Sequence, residues 1–237
     1  MAYQAVFQRH ELKYILTKEQ KKCVLEAIQP YMSLDKYGRT TIQNIYFDTK
    51  DYRLIRRSIE KPVYKEKLRV RHYAGKNVED KVFVEIKKKY KKVVYKRRLS
   101  MTEDAAMKWL MGEKSCAIDS QIAREIDYFL QYYENLGPAL FLSYEREAYY
   151  CNEGSDFRIT FDENVLCRQN KITFQSDAGG VPVLEEDKVL MEIKGSQGMP
   201  MWMVDILSRE KIYKTSFSKY GTAYQKIIYP KLKGERI

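Results

Sequence analysis

The sequence lacks any run of about 18 apolar residues, and its N-terminus lacks the apolar segment of a secretory signal. These absences predict a chain that neither spans a membrane nor is exported. Only two histidines occur, His10 and His72, and the four cysteines include no Cys-x-x-Cys pair. A zinc site or a disulfide framework is therefore not expected, and reduced thiols favour a cytoplasmic location.

The sequence also lacks a period-matched repeat, a low-complexity tract and an interdomain linker. One domain over residues 1–237 is therefore the expected organisation. Hydrophobic residues make up 44% and aromatic residues 13% of the chain, which excludes a disordered protein. The 20 tyrosines favour many strands with one half-exposed face.

Acidic residues are in deficit, since 32 Asp and Glu oppose 43 Lys and Arg and leave a formal charge of +11. A polyanionic partner such as nucleic acid, acidic lipid or a phosphate compound would account for this balance. A basic surface that only maintains solubility is the alternative at this point.

Ionic residues recur at a spacing of two along segments whose intervening residues are apolar. The segments carry Arg69/Arg71, Glu11/Lys13, Glu85/Lys87, Lys96/Arg98, Arg158 with Asp162, and Glu192/Lys194. Because side chains alternate across a strand, each segment would present one ionic and one apolar face. The ionic faces are too rich in Arg and Lys for an ordinary solvated surface. We therefore expect a sheet closed around a hydrated basic lumen, with helices on its outer apolar face and a polyanion inside.

Apolar periodicity and turn residues predict an α+β chain. Strands are predicted at residues 5–16, 41–47, 64–73, 81–90, 93–99, 140–151, 156–163, 167–174 and 189–194. Helices are predicted at residues 17–28, 102–112, 120–135, 200–211 and 218–228, with a short helical or irregular link at 55–59. Thr17 and Gln20 have the spacing of a capping box, and Asp48 is expected to close an Asx turn.

Nine short motifs follow one another in a fixed order. They are Glu11-Leu12-Lys13-Tyr14, Ile45-Tyr46-Phe47-Asp48-Thr49, Leu68-Arg69-Val70-Arg71, Phe83-Val84-Glu85-Ile86-Lys87, Lys96-Arg97-Arg98, Tyr144-Glu145-Arg146-Glu147-Ala148-Tyr149, Arg158-Ile159-Thr160-Phe161-Asp162, Met191-Glu192-Ile193-Lys194 and Ser218-Lys219-Tyr220. With these motifs the chain resembles, from about Phe7 to Tyr224, the catalytic domain of the vacuolar transporter chaperone (VTC) polyphosphate polymerases. That family lies within the triphosphate tunnel metalloenzymes, the CYTH-like superfamily.

The resemblance implies an eight-stranded antiparallel closed barrel, with helices packed outside, that binds triphosphate and a divalent cation, Mn²⁺ or Mg²⁺. VTC polymerases transfer the γ-phosphate of ATP onto a growing polyphosphate chain and release ADP. ATP and polyphosphate or triphosphate are therefore the implied partners, and nucleic acid is not.

Candidate site residues come from the motif matches together with the ionic strand faces. The family's basic residues match Lys13, Arg69, Arg71, Lys87, Lys96, Arg146, Arg158 and Lys219, and its metal-holding glutamate matches Glu192. The ionic faces add Arg98 and Lys194 as phosphate ligands, and Glu85 and Glu11 as further metal ligands. Of these cations, the set predicted to act in catalysis is Arg69, Arg71, Lys87, Arg146 and Arg158, and the set predicted to hold phosphate is Lys13, Lys96, Arg98, Lys194 and Lys219.

One difference between this sequence and the superfamily's pattern bears on the reaction. Tunnel triphosphatases and adenylate cyclases carry a Glu-x-Glu-x-Lys strand, whereas this chain has Arg9 in place of the first Glu. Loss of that carboxylate weakens a two-metal hydrolytic site, which favours polymerase over the alternative, an inorganic or nucleoside triphosphatase.

Two further hypotheses are a nucleic-acid-binding module and a catalytically silent polyphosphate receptor. The aromatic residues alternate onto the face opposite the cations, which argues against stacked bases. The sequence shows no SPX-like sensor and no membrane segment, so coupled export of product would need a separate membrane partner. It does not define the oligomeric state.

Overall fold

A computed structural model describes residues 10–74, 81–91, 93–175 and 179–234. Residues 5–9 of the first predicted strand, which include Arg9, and Lys92 between the strands predicted at 81–90 and 93–99 lie outside these ranges. The strands are β1 (His10–Thr17), β2 (Met32–Leu34), β3 (Thr40–Asp48), β4 (Tyr64–Tyr73), β5 (Lys81–Tyr90), β6 (Val93–Thr102), β7 (Gly137–Cys151), β8 (Arg158–Arg168), β9 (Val181–Pro182), β10 (Lys188–Gly195) and β11 (Lys214–Thr215). The helices are α1 (Lys18–Ile28), α2 (Arg53–Ile59), α3 (Glu103–Leu110), α4 (Gln121–Tyr133), α5 (Met201–Arg209), α6 (Lys219–Ala223) and, after a π-helical turn (Tyr224–Ile228), α7 (Tyr229–Gly234).

The chain divides into two compact units. The first contains Met1–Thr41, Tyr144–Val165 and Pro182–Ser218, and the second contains Ile42–Ser143, Leu166–Val181 and Lys219–Ile237. In the first unit the hydrogen-bonded strand order is β11-β1-β10-β8-β7, and in the second it is β7-β3-β4-β5-β6. The α+β class with an antiparallel sheet is confirmed. The strand order has two ends, so the described pairings do not show the predicted barrel closure, and the single domain stays a prediction.

The first unit has its own hydrophobic core between the sheet and two helices. Strand residues contribute alternately, for example Tyr14 with Leu16 on β1 and Ile159 with Phe161 on β8, and they pack with residues of α1 and α5. Thr17 and Gln20 form the predicted capping box at the start of α1. The period-two prediction therefore identified the buried face of these strands.

The second unit packs its sheet against α2, α3 and α4. Val82, Val84 and Ile86 of β5 are almost fully buried in this core together with Trp109 and Ile126 of the helices. The intervening residues of β5 face away from the core, as the alternation of a strand requires.

The prediction of two separate strands at residues 156–163 and 167–174 was wrong. The structure has one strand, β8, which continues through Asn164 with a positive φ of 49° and ends at Arg168. Arg168 then donates hydrogen bonds to the backbone oxygens of Lys171, Thr173 and Gly179. Because these carbonyls bind a side chain, the chain after Arg168 forms a loop instead of a further strand.

Asp48 ends β3 and has the structural role that its sequence context predicts. Its carboxylate accepts hydrogen bonds from the backbone N–H groups of Thr49, Leu54 and Ile55 and from the hydroxyl of Tyr220. Asp48 thus fixes both the start of α2 and the position of α6.

Among the helices that the structure describes, none combines the length and apolar character needed to cross a bilayer.

Candidate functional site

The ionic face of the second unit centres on Glu85. In the pairing of β3, β4, β5 and β6, Tyr46 lies beside Arg69, Arg69 beside Glu85, and Glu85 beside Arg98. We call Arg69, Arg71, Glu85 and Lys96 the Glu85 cluster.

Three cations of the cluster contact this one carboxylate. Arg69 Nη2 lies 2.7 Å from Glu85 Oε2, Lys96 Nζ lies 2.6 Å from Oε1, and Arg71 Nε lies 3.8 Å from Oε2. The side chain of Glu85 is 1% exposed. Burial raises the pKa of Glu85, but Arg69, Arg71 and Lys96 together lower it well below its ordinary value. The cluster therefore holds one negative charge against three positive groups.

Neutral side chains hold the two arginines in place. Arg69 Nη1 donates to the hydroxyl of Tyr46 at 3.1 Å, and Arg71 Nε donates to Asn44 Oδ1 at 3.1 Å. Asn44 Nδ2 in turn donates to the backbone oxygen of Leu142. Sequence analysis did not include Tyr46 or Asn44 in the site, although both lie on β3 beside the arginines they support. Their arrangement preorients the guanidinium groups for an anion.

Lys96 is the group of this cluster most sensitive to pH. Although 40% of its side chain is exposed, desolvation of the amine beside Glu85 lowers its pKa, Glu85 opposes that effect and the two guanidinium groups add to it, which places the pKa at about 7. The amine is therefore charged below about pH 7 and becomes neutral as the pH rises.

Replacing Lys96 by Arg should flatten the pH dependence of anion binding. Wild-type affinity for tripolyphosphate is expected to fall about threefold relative to Lys96→Arg between about pH 6 and pH 8, because arginine stays charged throughout. Titration calorimetry of both proteins across this range gives the ratio of dissociation constants, in which the protonation of the ligand itself cancels. A constant ratio would show that Lys96 does not titrate there.

The structure also places the other predicted residues of the second unit. Lys87 lies beside Lys96 in the β5–β6 pairing, and the guanidinium of Arg98 lies 4.9 Å from the ring centroid of Phe83. Lys219 is the first residue of α6. Arg97 contacts Glu125 of α4 at 3.4 Å, so it faces away from the ionic surface, as its parity predicts.

The ionic face of the first unit centres on Glu192. Across β1, β10 and β8, Lys13 lies beside Glu192 and Glu192 beside Thr160. The next row of the same face contains Glu11, Lys194 and Arg158. We call Glu11, Lys13, Arg146, Asp162, Glu192 and Lys194 the Glu192 cluster.

Glu192 is 5% exposed and is contacted by three cations. Lys194 Nζ lies 2.7 Å from Oε2, Lys13 Nζ lies 3.3 Å from Oε1, and Arg146 Nη2 lies 3.5 Å from Oε2. Lys13 Nζ also lies 3.2 Å from Glu11 Oε1 and donates to the backbone oxygen of Phe217. Lys13 therefore bridges Glu11, Glu192 and the Phe217 carbonyl, whereas Lys194 pairs with a carboxylate of its own strand.

Arg146 is anchored by a fully buried carboxylate. Its Nε and Nη2 donate to the two oxygens of Asp162 at 2.5 and 2.6 Å. Burial lowers the pKa of Arg146, but Asp162 outweighs that effect and raises it well above the ordinary value. Asp162 was not among the predicted site residues. The paired geometry leaves Arg146 permanently charged and fixed in orientation.

Two hydrogen-bond donors on the ionic face of β8, one from Arg158 and one from Thr160, differ from the paired groups described above. Arg158 places its guanidinium 4.6 Å from the ring centroid of Tyr150. Phe83 likewise lies against Arg98, so the expectation that the aromatic residues lie opposite the cations was wrong for these rings. The Nε of Arg158 and the hydroxyl of Thr160 are both buried and have no hydrogen-bond partner among the described residues. Arg158 was among the predicted site residues, and Thr160 was not.

The predicted metal ligands are the carboxylates of Glu192, Glu85 and Glu11. Over the described ranges, no group of three or more His, Cys, Asp or Glu residues is placed to hold a metal ion. Magnesium in phosphate sites is held by one or two carboxylates together with phosphate oxygens. Both oxygens of Glu192 contact lysines, and Lys13 bridges Glu192 to Glu11, so the assignment of these two carboxylates to that shared mode stays a prediction. Both oxygens of Glu85 already contact cations, and its assignment as a metal ligand stays a prediction.

Solved structures share this fold at low sequence identity. A protein from Bacillus halodurans described as a candidate adenylate cyclase is 15% identical, with a TM-score of 0.56 over 91% of this chain and 96% of that chain. A Hippeastrum protein described as having a dominant triphosphatase activity is 15% identical, with a TM-score of 0.55 over 91% and 94%. A Vibrio parahaemolyticus protein, also described as a candidate adenylate cyclase, is 12% identical, with a TM-score of 0.52 over 92% and 98%. At these identities the likeness concerns the fold alone.

No curated protein matches the chain. A family model described as the VTC domain matches residues 8–228, which include all nine motifs of the sequence. The chain therefore belongs to the VTC domain family.

Proposed function

We propose that this protein is a metal-dependent polyphosphate polymerase that transfers the γ-phosphate of ATP onto a polyphosphate chain. The single observation that carries the proposal is the Glu85 cluster, where one buried carboxylate faces three cations. Lys87 and Arg98 lie on the same faces of β5 and β6 and add to the positive charge. A polyphosphate supplies closely spaced negative charges that would neutralise this excess.

The residue types suit phosphoryl transfer. The reaction needs positioning and charge neutralisation more than it needs a protein nucleophile. Arg69 and Arg71 can each bind two oxygens of one phosphate, whereas Lys87 and Lys96 act as point charges. In the first unit, Arg146 and Arg158 would bind phosphate oxygens in the same way, with Lys13 and Lys194 beside them. Lys219 is proposed as a further phosphate ligand.

In the proposed step a terminal oxygen of the acceptor polyphosphate forms a bond to the γ-phosphorus of ATP. The bond from that phosphorus to the β–γ bridging oxygen breaks, and ADP leaves. Mn²⁺ or Mg²⁺, held by Glu192 with Glu11, would supply additional neutralisation of phosphate charge. The closed tunnel belongs to this proposal as the sequence predicts it, and so does a cytoplasmic location, where the four free cysteines would stay reduced.

Triphosphate hydrolysis is the second candidate. The triphosphatase activity described for the Hippeastrum protein supports it, and Arg9 in place of the first Glu of the Glu-x-Glu-x-Lys pattern supports the polymerase instead. In hydrolysis a water oxygen would attack the same phosphorus, so the two reactions differ only in the acceptor.

Product analysis separates the two reactions. The protein is incubated with ATP and Mn²⁺, with and without a short polyphosphate primer, and the products are resolved on a gel. A ladder of long chains together with ADP supports the polymerase, and orthophosphate without a ladder supports the hydrolase. If neither product forms although tripolyphosphate binds, the protein is a receptor and the proposed activity is wrong.

A further inference from the structure

Thr160 presents a buried hydroxyl that the fold does not use. The residue is 0% exposed, and its Oγ1 has no hydrogen-bond partner among the residues that the structure describes. Buried hydroxyl groups in proteins are normally paired, because leaving one unpaired costs its hydration. Valine has nearly the same shape and would avoid that cost. The hydroxyl therefore points to a contact beyond the folded chain itself.

The position of Thr160 indicates what kind of contact this is. Its neighbours Ile159 and Phe161 belong to the hydrophobic core, so Thr160 lies on the opposite face of β8 with Arg158 and Asp162. On β10 it lies beside Glu192. The hydroxyl is thus within the ionic face of the first unit, although it carries no charge.

The nearby carboxylates are already bound by cations. Both oxygens of Asp162 accept hydrogen bonds from Arg146, and the two oxygens of Glu192 contact Lys13 and Lys194. Neither carboxylate depends on a threonine hydroxyl to compensate its burial. An internal acceptor therefore does not account for the residue type at this position.

A second unpaired donor lies two residues away. Arg158 Nε is also buried and without a hydrogen-bond partner in the described part of the chain. Residues two apart on one strand face lie about 7 Å apart at their Cα atoms, so both donors lie close together on the ionic face of β8. Two adjacent N–H and O–H donors beside the cations match the oxygens of a phosphate group.

We propose that Thr160 Oγ1 donates a hydrogen bond to a phosphate oxygen of the bound triphosphate or polyphosphate, next to Arg158 Nε. The inference rests on the proposed function and adds a neutral phosphate ligand to the site. It makes Thr160 a residue selected for binding at the expense of stability.

Valine at position 160 should therefore change stability and binding in opposite directions. Without ligand, Thr160→Val is expected to raise the melting temperature by about 2–4 °C, because the unpaired hydroxyl is removed. Its dissociation constant for tripolyphosphate, measured by calorimetry in EDTA, is expected to rise about tenfold, the loss typical of a hydrogen bond to a charged group. Thr160→Ser keeps the hydroxyl and should bind within about threefold of wild type.

Thr41→Val is the matched control, since Thr41 is a half-buried strand threonine that belongs to neither cluster. It should leave tripolyphosphate binding unchanged. Equal binding by wild type and Thr160→Val would overturn the inference, as would a lower melting temperature for Thr160→Val. A loss of affinity that occurs only with Mn²⁺ present would assign the hydroxyl to a metal-bound water and contradict the phosphate contact. If wild-type protein does not bind tripolyphosphate at all, the proposed function itself fails.

Discussion

Replacing Glu85 by Gln is expected to lower the free energy of unfolding of the unliganded protein by about 3–5 kcal/mol. The substitution removes the one negative charge that contacts Arg69, Arg71 and Lys96 and leaves their mutual repulsion uncompensated. Lys96 can relieve part of this by losing its proton, which the arginines cannot do. Urea unfolding in the absence of phosphate measures the loss.

Tripolyphosphate should restore most of that stability. The variant has a greater excess of positive charge than wild type, so the anion should bind it more tightly and raise its melting temperature further. Glu125→Gln is the matched control, because Glu125 also contacts two cations, Lys88 and Arg97, but its side chain is 24% exposed. There the loss should stay below about 1 kcal/mol. If tripolyphosphate stabilises Glu85→Gln no more than wild type, the Glu85 cluster is not an anion site.

Replacing Glu192 by Gln is expected to reduce the rate of γ-phosphate transfer about 10²–10³-fold, whichever acceptor is used. The substitution removes the carboxylate proposed to hold the divalent ion, while Lys13, Lys194 and Arg146 remain. Binding of tripolyphosphate in EDTA should persist or become tighter, because a negative charge is lost from a phosphate site. Initial rates over a Mn²⁺ titration, together with calorimetry, separate these two effects.

Glu147→Gln serves as the control for Glu192→Gln. Glu147 pairs with Lys21 in the same unit, is partly buried and lies outside the Glu192 cluster. The activity of the Glu147→Gln variant should stay within about twofold of wild type, as for other substitutions away from the site. Full activity of Glu192→Gln at ordinary Mn²⁺ concentrations would exclude Glu192 as the metal-holding residue.

Much of the ionic surface could be predicted from residue alternation alone. Because a strand must turn alternate side chains to opposite faces, Arg69, Glu85 and Lys96 were expected together, and Arg97 was expected to face the other way. The structure agrees in each case. These contacts depend on local parity and on pairing between strands that are neighbours along the chain, both of which a single sequence expresses.

The supporting contacts could not be predicted in the same way. Asn44 holds Arg71 but carries no charge, so ionic spacing does not point to it, and the contact of Asp162 with Arg146 depends on the register between β7 and β8. The strand predicted at residues 167–174 was wrong because the side chain of Arg168 binds the carbonyl oxygens of Lys171 and Thr173. Thr160 carries no charge, so a search for ionic periodicity passes over it.

The final helical segment has a consequence for how this protein is handled. Tyr220 of α6 stacks on Tyr46 at 4.7 Å between ring centroids, and Tyr46 accepts the hydrogen bond of Arg69. The hydroxyl of Tyr220 donates a hydrogen bond to Asp48, which holds Tyr220 in this position. A truncation before Lys219, or an affinity tag that pulls this segment away, would loosen an arginine of the Glu85 cluster without altering any ionic residue of that cluster.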